Sequence, residues 1–191
     1  MAAVTEPIRE AQKLEEIKRL LRSEKNPRDY LLFVLGINTA LRISDLLALK
    51  VKDILDERGT NNEFLYLTER KTKRARKIRL NASVQEAFNH YFSKTKIRSR
   101  EQLLFLSRTG KPLDRTAAWL RVRKWCQDVG LGPEHYGTHS LRKTWGYRAR
   151  LAGIDMELIR EKLGHRAASV TRRYIGITED EINGVEDKVL L

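Results

Sequence analysis

Cysteine is nearly missing from this chain: Cys126 stands alone among 191 residues. One thiol can neither close an intrachain disulfide nor supply the paired cysteines of a zinc ribbon, which is the usage of a reducing compartment. Long apolar stretches are missing too. None approaches the ~20 residues that a bilayer span requires, and the opening MAAVTEPIREAQ lacks the apolar core of a secretory leader. The expectation is a soluble cytoplasmic protein with no membrane partner. There is no Walker-type glycine loop and no dense carboxylate cluster suited to Mg²⁺, so neither a cofactor nor a metal is expected. Acid is in short supply: 25 Asp and Glu face 38 Lys and Arg, a formal charge of +13. Such a surface attracts polyanions, nucleic acid first among them, although ribosomal and membrane-surface proteins share the feature.

What is present is mostly helical periodicity. Leu14, Ile17, Leu20 and Leu21 recur at helical spacing between Ala11 and Lys25, with charges opposite. Asn26 and Pro27 start a second helix, and RDYLLFVLGINTAL is apolar almost all round, the pattern of a central buried helix. Ser44 is placed to cap a short third helix through DLLALK. At EFLYLTERKTKRARKIRL the period changes: Phe64, Tyr66, Ile78 and Leu80 alternate with polar residues on either side of a basic centre, which predicts a β-hairpin. Helices are expected again over Ser83–His90 and Asp114–Val129, the latter capped by Asp114 and ended by Gly130, with a short strand and turn in LLFLSRTGKP between them. Three more follow near His139–Ala152, Asp155–Leu163 and Ala168–Ile175, and the tail opens with a capping box from Thr178 to Glu181. With no repeat, low-complexity tract or linker, residues 1–191 read as a single domain, mainly α with one small antiparallel sheet. Residues 1–25 form its N-terminal helix and residues 178–191 its tail.

Singly, the polar residues say little, because an arginine beside a buried helix is usually an ion-pair partner and a lone histidine is usually structural. In order they form a series. Arg42 stands where the apolar helix stops, Lys71 lies in the basic hairpin, HSLRKT supplies His139 and Arg142, LGH supplies His165, and Tyr174 follows in TRRY. From about Asn26 to Thr178 this series resembles the catalytic signature of the tyrosine recombinases, the phage-integrase family. The HxxR box followed by LGH and then tyrosine is its most specific part.

The resemblance implies an integrase-type catalytic-domain fold and site-specific recombination of DNA by integration, excision or inversion, through a covalent 3′-phosphotyrosyl intermediate. It implies Tyr174 as nucleophile, His139 as its base, Lys71 as the acid for the leaving 5′-oxygen, and a phosphate hydrogen bond from His165. The chemistry explains the residue types. Phosphodiester cleavage builds negative charge on the non-bridging oxygens, which the forked, permanently charged Arg42 and Arg142 can hold. Lys73 is the alternative to Lys71 in the crowded hairpin. Asp45, three residues after Arg42, is expected to orient that arginine, and His90 and His135 match no box. Implied partners are double-stranded recombination sites and a homo-tetramer formed on paired sites from monomers, on the chromosome of a bacterial or phage-infected cell.

Two departures stand out. Arg79 occupies a place where the family often has proline, and only some 25 residues precede the Asn26 helix, so no separate N-terminal core-binding domain is expected. Either an excised domain or a short stand-alone recombinase fits that length. The rival readings are a non-catalytic DNA-binding regulator of the same fold and a type IB topoisomerase, which would relax supercoils without exchanging partners.

Overall fold

A computed structural model describes residues 5–177, 182–184 and 187. Helix α1, Ala11–Ser23, turns Leu14, Ile17 and Leu21 inward, as its period requires, and stops short of the expected Lys25. Helix α2, Pro27–Thr39, is buried at every position from Pro27 to Gly36 and is the central helix, packed against α1, α5 (Ala82–Lys94) and α7 (Thr138–Leu151). Its meeting with α7 is close: a Cβ on Gly36 would stand 2.6 Å from a terminal carbon of Leu141 and 2.9 Å from its Cβ, so only glycine fits. At its far end Ala40 takes the left-handed conformation (φ 57°), unusual for a residue with a Cβ.

The third helix differs from expectation. Arg42, not Ser44, is the capping residue of α3, Ile43–Leu46, because the Arg42 carbonyl already accepts from Asp45 and Leu46. Another short helix, α4 (Val51–Ile54), follows unforeseen. Strands β1 (Phe64–Thr68) and β2 (Ala75–Arg79) form the antiparallel hairpin, with Phe64 opposite Arg79 and Leu65 opposite Ile78. Through β2 the alternation holds, with Ile78 and, just past the strand, Leu80 buried, but on β1 the inward face is not the one it suggested. Leu65 and Ile78 are fully buried while Tyr66 is 65% exposed, and the Lys77 ammonium lies 4.2 Å from the Phe64 ring and 5.6 Å from that of Tyr66. Cations over aromatic faces make that side tolerable in water.

The LLFLSRTGKP segment yields isolated bridges, Lys50 with Leu103 and Leu106 with Pro112, in place of a regular strand. Helix α5 begins at an Asn81 cap, whose side chain accepts from the Val84 amide at 3.1 Å, and runs longer than predicted. Helix α6, Arg115–Asp128, has the Asp114 cap, accepting from Ala117 at 2.7 Å. Helix α8 (Met156–Leu163) ends on left-handed Gly164, and α9 is Ala168–Tyr174. The capping box at Thr178–Glu181 lies outside the described residues. No helix among the described residues is long and apolar enough to cross a membrane.

Candidate active site

The ends of α2, α7, α8 and α9 and the turn of the hairpin meet at one place. Arg142, in the second turn of α7, is 3% exposed and donates from its two terminal nitrogens to the carbonyls of Ala40 and Leu163. It therefore ties the C-terminus of α2 to that of α8. The strained Ala40 aims its carbonyl at this guanidinium, the kind of place where an unfavourable φ persists. Burial, and then the neighbouring charge of Arg42, lower the pKa of Arg142.

Arg42 is held from the hairpin. Its Nη1 donates to Oε2 of Glu69 at 2.6 Å, Arg76 donates to Oε1 at 2.8 Å, and the Thr72 hydroxyl donates to Oε2 as well. Glu69 is 1% exposed. Desolvation alone would raise its pKa, but the Thr72 and Arg42 hydrogen bonds and the charges of Arg42 and Arg76 outweigh it and leave the carboxyl below its ordinary value. Arg76 also donates to the Lys162 carbonyl at 2.8 Å, so the hairpin is pinned to α8 beside the Leu163 that Arg142 holds. Asp45 does not orient Arg42: its Oδ1 accepts the Arg70 backbone N–H at 2.9 Å, which fixes the hairpin strand instead. Sequence reading missed Glu69, although it is the one acid in ERKTKRARK and that isolation was a signal.

His165 follows Gly164, with Nδ1 3.2 Å from the buried Thr171 hydroxyl. Its ring meets the Tyr174 ring edge-on, centroids 4.8 Å apart. Burial, then the charges of Arg142 and Arg42, hold its pKa down to about 4. Tyr174, the last residue of α9, has the Arg142 guanidinium carbon 6.0 Å and the Lys143 ammonium 5.4 Å from its ring centre. Its hydroxyl is buried without a hydrogen-bond partner among the described residues. Desolvation raises the phenol's pKa against the opposing charges of Arg142 and Arg42.

His139 stands in the first turn of α7, one turn before Arg142, with an exposed edge. Desolvation by its neighbours, then the charges of Arg142, Lys143, Arg115 and Arg42, lower its pKa. Both histidines are thus neutral bases near neutrality. Lys71 is exposed on the hairpin turn two residues past Glu69, and Lys73 beyond it takes φ 57°. Of the residues expected from sequence, Tyr174 has both His165 and Arg142 beside its ring, Arg42 and His139 are near enough for charge to be felt between them and this group, and Lys71 stands apart on its turn. His90 packs edge-on against Tyr30 at 5.3 Å, and His135 pairs with Glu134 at 3.2 Å, away from this group.

Residues 10–181 match the phage integrase family. A probable integrase/recombinase, YoeC, of Bacillus subtilis (strain 168) is 43% identical over 178 residues, 93% of this chain and 92% of its own. Tyrosine recombinase XerC of Roseiflexus castenholzii is 28% identical, with 96% of this chain aligned to 62% of its own length, and XerD of Corynebacterium glutamicum is 29% identical, 83% against 51%. The chain spans between half and two thirds of these two relatives. The crystal structure of XerA recombinase superposes with a TM-score of 0.75 at 17% identity over 97% of this chain and 65% of that one. XerH bound to its difH substrate gives 0.70 at 23%, over 97% and 54%. Both likenesses speak for the fold. Because the family match takes in nearly the whole chain and one relative aligns with it almost end to end, the chain belongs to the phage integrase family and carries the catalytic domain of a tyrosine recombinase, an enzyme of site-specific recombination that cleaves and rejoins DNA.

Proposed function

We propose that Tyr174 attacks a DNA phosphate held between Arg42 and Arg142. The phenolic oxygen forms a bond to phosphorus as the bond to the 5′-oxygen breaks. His139 takes the phenol's proton, and Lys71 gives one to the departing 5′-oxygen. The 3′-phosphotyrosyl bond conserves the energy of the broken ester, so the 5′-hydroxyl of another strand can displace Tyr174 without a nucleotide cofactor or a metal. His165, neutral, offers the phosphate a hydrogen bond from the ring nitrogen that Thr171 does not face.

The observation that carries this reading is the fixing of Arg142 between the ends of α2 and α8 with the Tyr174 ring beside it and His165 against that ring. A guanidinium has five donors, so bonding to two carbonyls leaves N–H groups for an incoming phosphate and sets their direction beforehand. The raised phenol pKa accords with a nucleophile that is quiescent until a base and a phosphate are beside it. Lys71 suits a group that must approach the leaving oxygen, being exposed on a turn whose root at Glu69 is anchored.

The substrates proposed are double-stranded recombination sites, as the XerH complex with difH suggests by likeness, and the place of action is the bacterial cytoplasm. Four protomers on two duplexes would accomplish exchange, each a monomer before DNA is bound. Leu151, Ile154, Leu158 and Val170 leave apolar surface on α7–α9, 46 to 63% exposed, that suits an apolar segment of a neighbour. The tail from Thr178 to Leu191, ending VLL, has that character in sequence; its proposed docking lies outside the described residues.

Tyr174→Phe tests the core of the proposal. Incubated with a nicked half-site and run on a denaturing gel, the variant should bind DNA and give no covalent band. A band at wild-type level would remove Tyr174 from the reaction.

A further inference from the structure

The opposite end of α2 carries a second concentration of positive charge. Lys96 and Arg98, just beyond α5, and Arg108, on the turn Ser107–Gly110, surround a cavity of about 510 Å³ whose floor is Arg28. No carboxylate lines it. Among the described residues some exposed cations elsewhere find acids and others, such as Arg19 and Arg58, do not: Lys18 pairs with Glu15, Lys50 and Lys52 with Glu101, Arg79 with Glu63, Lys124 with Asp128. Lys96, Arg98 and Arg108 form no ion pair among the described residues. Mutual repulsion among unpaired cations around a concave wall is a cost that an anion would relieve.

The floor is built. Arg28 is 6% exposed and fixed by Asp29, which accepts from its Nε at 2.8 Å, and by the Leu106 carbonyl. The N-terminus of α2 opens at the same place, with Pro27 in its first turn and no side-chain cap from Asn26, so the positive end of the helix dipole adds to the field. Aromatic stacking is not on offer: Tyr91 is 3% exposed and its hydroxyl is spent on the Leu104 carbonyl at 2.7 Å. Cations without a stacking platform suit phosphates and not bases. The volume is within the ~300–1,000 Å³ of small-molecule sites, more than a single phosphate fills. At 1.5 Å per residue the 13 residues of α2 separate this cavity from Arg42 by about 20 Å.

We infer that this cavity binds linked phosphates at a site distinct from the catalytic one. The linked phosphates can be those of a free oligophosphate or successive backbone phosphates of a nucleic-acid strand.

Inorganic tripolyphosphate, titrated at low salt into the full chain and followed by amide NMR, tests this. Amides from Thr95 to Gln102 and from Ser107 to Gly110 should move together and saturate. In Arg98→Ala/Arg108→Ala the affinity at these amides should fall at least about tenfold, the loss of two charge-assisted contacts. In Arg19→Ala/Arg58→Ala, which removes equal charge from exposed positions elsewhere, it should stay within about twofold. Any response of the catalytic residues is read separately from their own amides, and the spectra report whether each variant is folded. Unmoved amides around the cavity, or equal weakening in both double variants, would overturn the inference. A duplex that perturbs the same amides and excludes tripolyphosphate would identify nucleic-acid backbone as the source. A duplex that binds while leaving them available would identify a free oligophosphate, and either result upholds the site.

Discussion

Among the described residues there are two hydrophobic clusters of very different size, and the proposed catalytic residues are divided between them. The larger runs through α1 to α6 and includes Phe33, Phe88 and Phe105, all fully buried, together with Leu141 of α7. The smaller consists of Ala40, Ile159, Leu163 and Ile175, with Trp145 and the Tyr174 ring packed against it. Arg42 springs from the end of the large cluster and Arg142 from the helix that α2 grips through Gly36. His165 and Tyr174 belong to the small one, beside the exposed Leu151, Ile154, Leu158 and Val170. The charges that would hold a phosphate are thus set on the rigid body, and the nucleophile rides on a part with little buried apolar surface, where local opening costs least. Its hydroxyl, without a hydrogen-bond partner among the described residues, belongs to that side, whereas the Glu69 carboxylate on the other accepts from three donors.

The link between the two clusters is Arg142, so its loss should have the largest effect. Arg142→Ala removes a phosphate donor and leaves the Ala40 and Leu163 carbonyls without it. Single-turnover cleavage should fall by ~10²–10³-fold or more, the scale for a deleted transition-state donor. A drop below tenfold would show that the two halves are joined and charged by other means. Glu69→Ala comes next. The buried Arg76 and the partly buried Arg42 would lose their carboxylate, a change of roughly 3–5 kcal/mol in stability, read from denaturant unfolding. Glu69→Gln separates charge from shape. Because the folded-state pKa of Glu69 is depressed, its contribution is present above the ordinary carboxylate range and lost as pH falls through the lowered value. Wild type should therefore lose stability on acidification over a window in which the glutamine variant does not.

That division was only partly legible in the chain. The apolar run Tyr30–Leu35 and the period of Leu14, Ile17 and Leu21 declared buried helices, because burial demands periodicity and little else competes with it. Asp114 and Gly164 marked helix ends through local hydrogen bonding and φ, which neighbours in sequence decide. The outward face of β1 was misread because Phe64 and Tyr66 lie against Lys77 across the hairpin, a cross-strand arrangement that a strand's own alternation does not reveal, whereas Ile78 and Leu80 do turn inward. Glu69 escaped for the same reason in stronger form: its partners are Arg42, 27 residues earlier, and Arg76 on the returning strand, which meet it only in the folded chain. Asp45 was assigned to the nearest arginine in sequence, and the fold gave it a backbone amide. The positions of Arg42, His139, Arg142, His165 and Tyr174 were legible as an ordered series, and what the series could not convey was which of them touch.

Packing variants sharpen the contrast further down the scale. Ile159→Ala, fully buried in the small cluster, should cost about 2–5 kcal/mol at its own site, and hydrogen exchange should quicken in α8 and α9 while the amides of α2 stay protected. Phe33→Ala in the large cluster should quicken both sets together. If both variants open the whole molecule alike, the two clusters act as one cooperative unit and the comparison has no dynamic content.

The smallest effect concerns protons. As the proposed base His139 would have to be neutral to accept the Tyr174 proton, and desolvation together with Arg142, Lys143, Arg115 and Arg42 holds its pKa below the ordinary histidine value. The sign follows: covalent adduct formation should be level from pH 8 to 7 and decline only as pH falls through that lowered value, since the protonated ring has no lone pair to offer. His165, with a pKa near 4, stays neutral across this range and contributes no step to it. Arg115 is exposed and is one of the cations that depress His139. Arg115→Ala should relieve part of that depression and move the acid limb upward, because one of the screened charges that disfavour the protonated ring is gone. His139→Gln should lower the rate and flatten the limb altogether. A limb that survives in His139→Gln at its original midpoint would mean that a group other than His139 takes the proton.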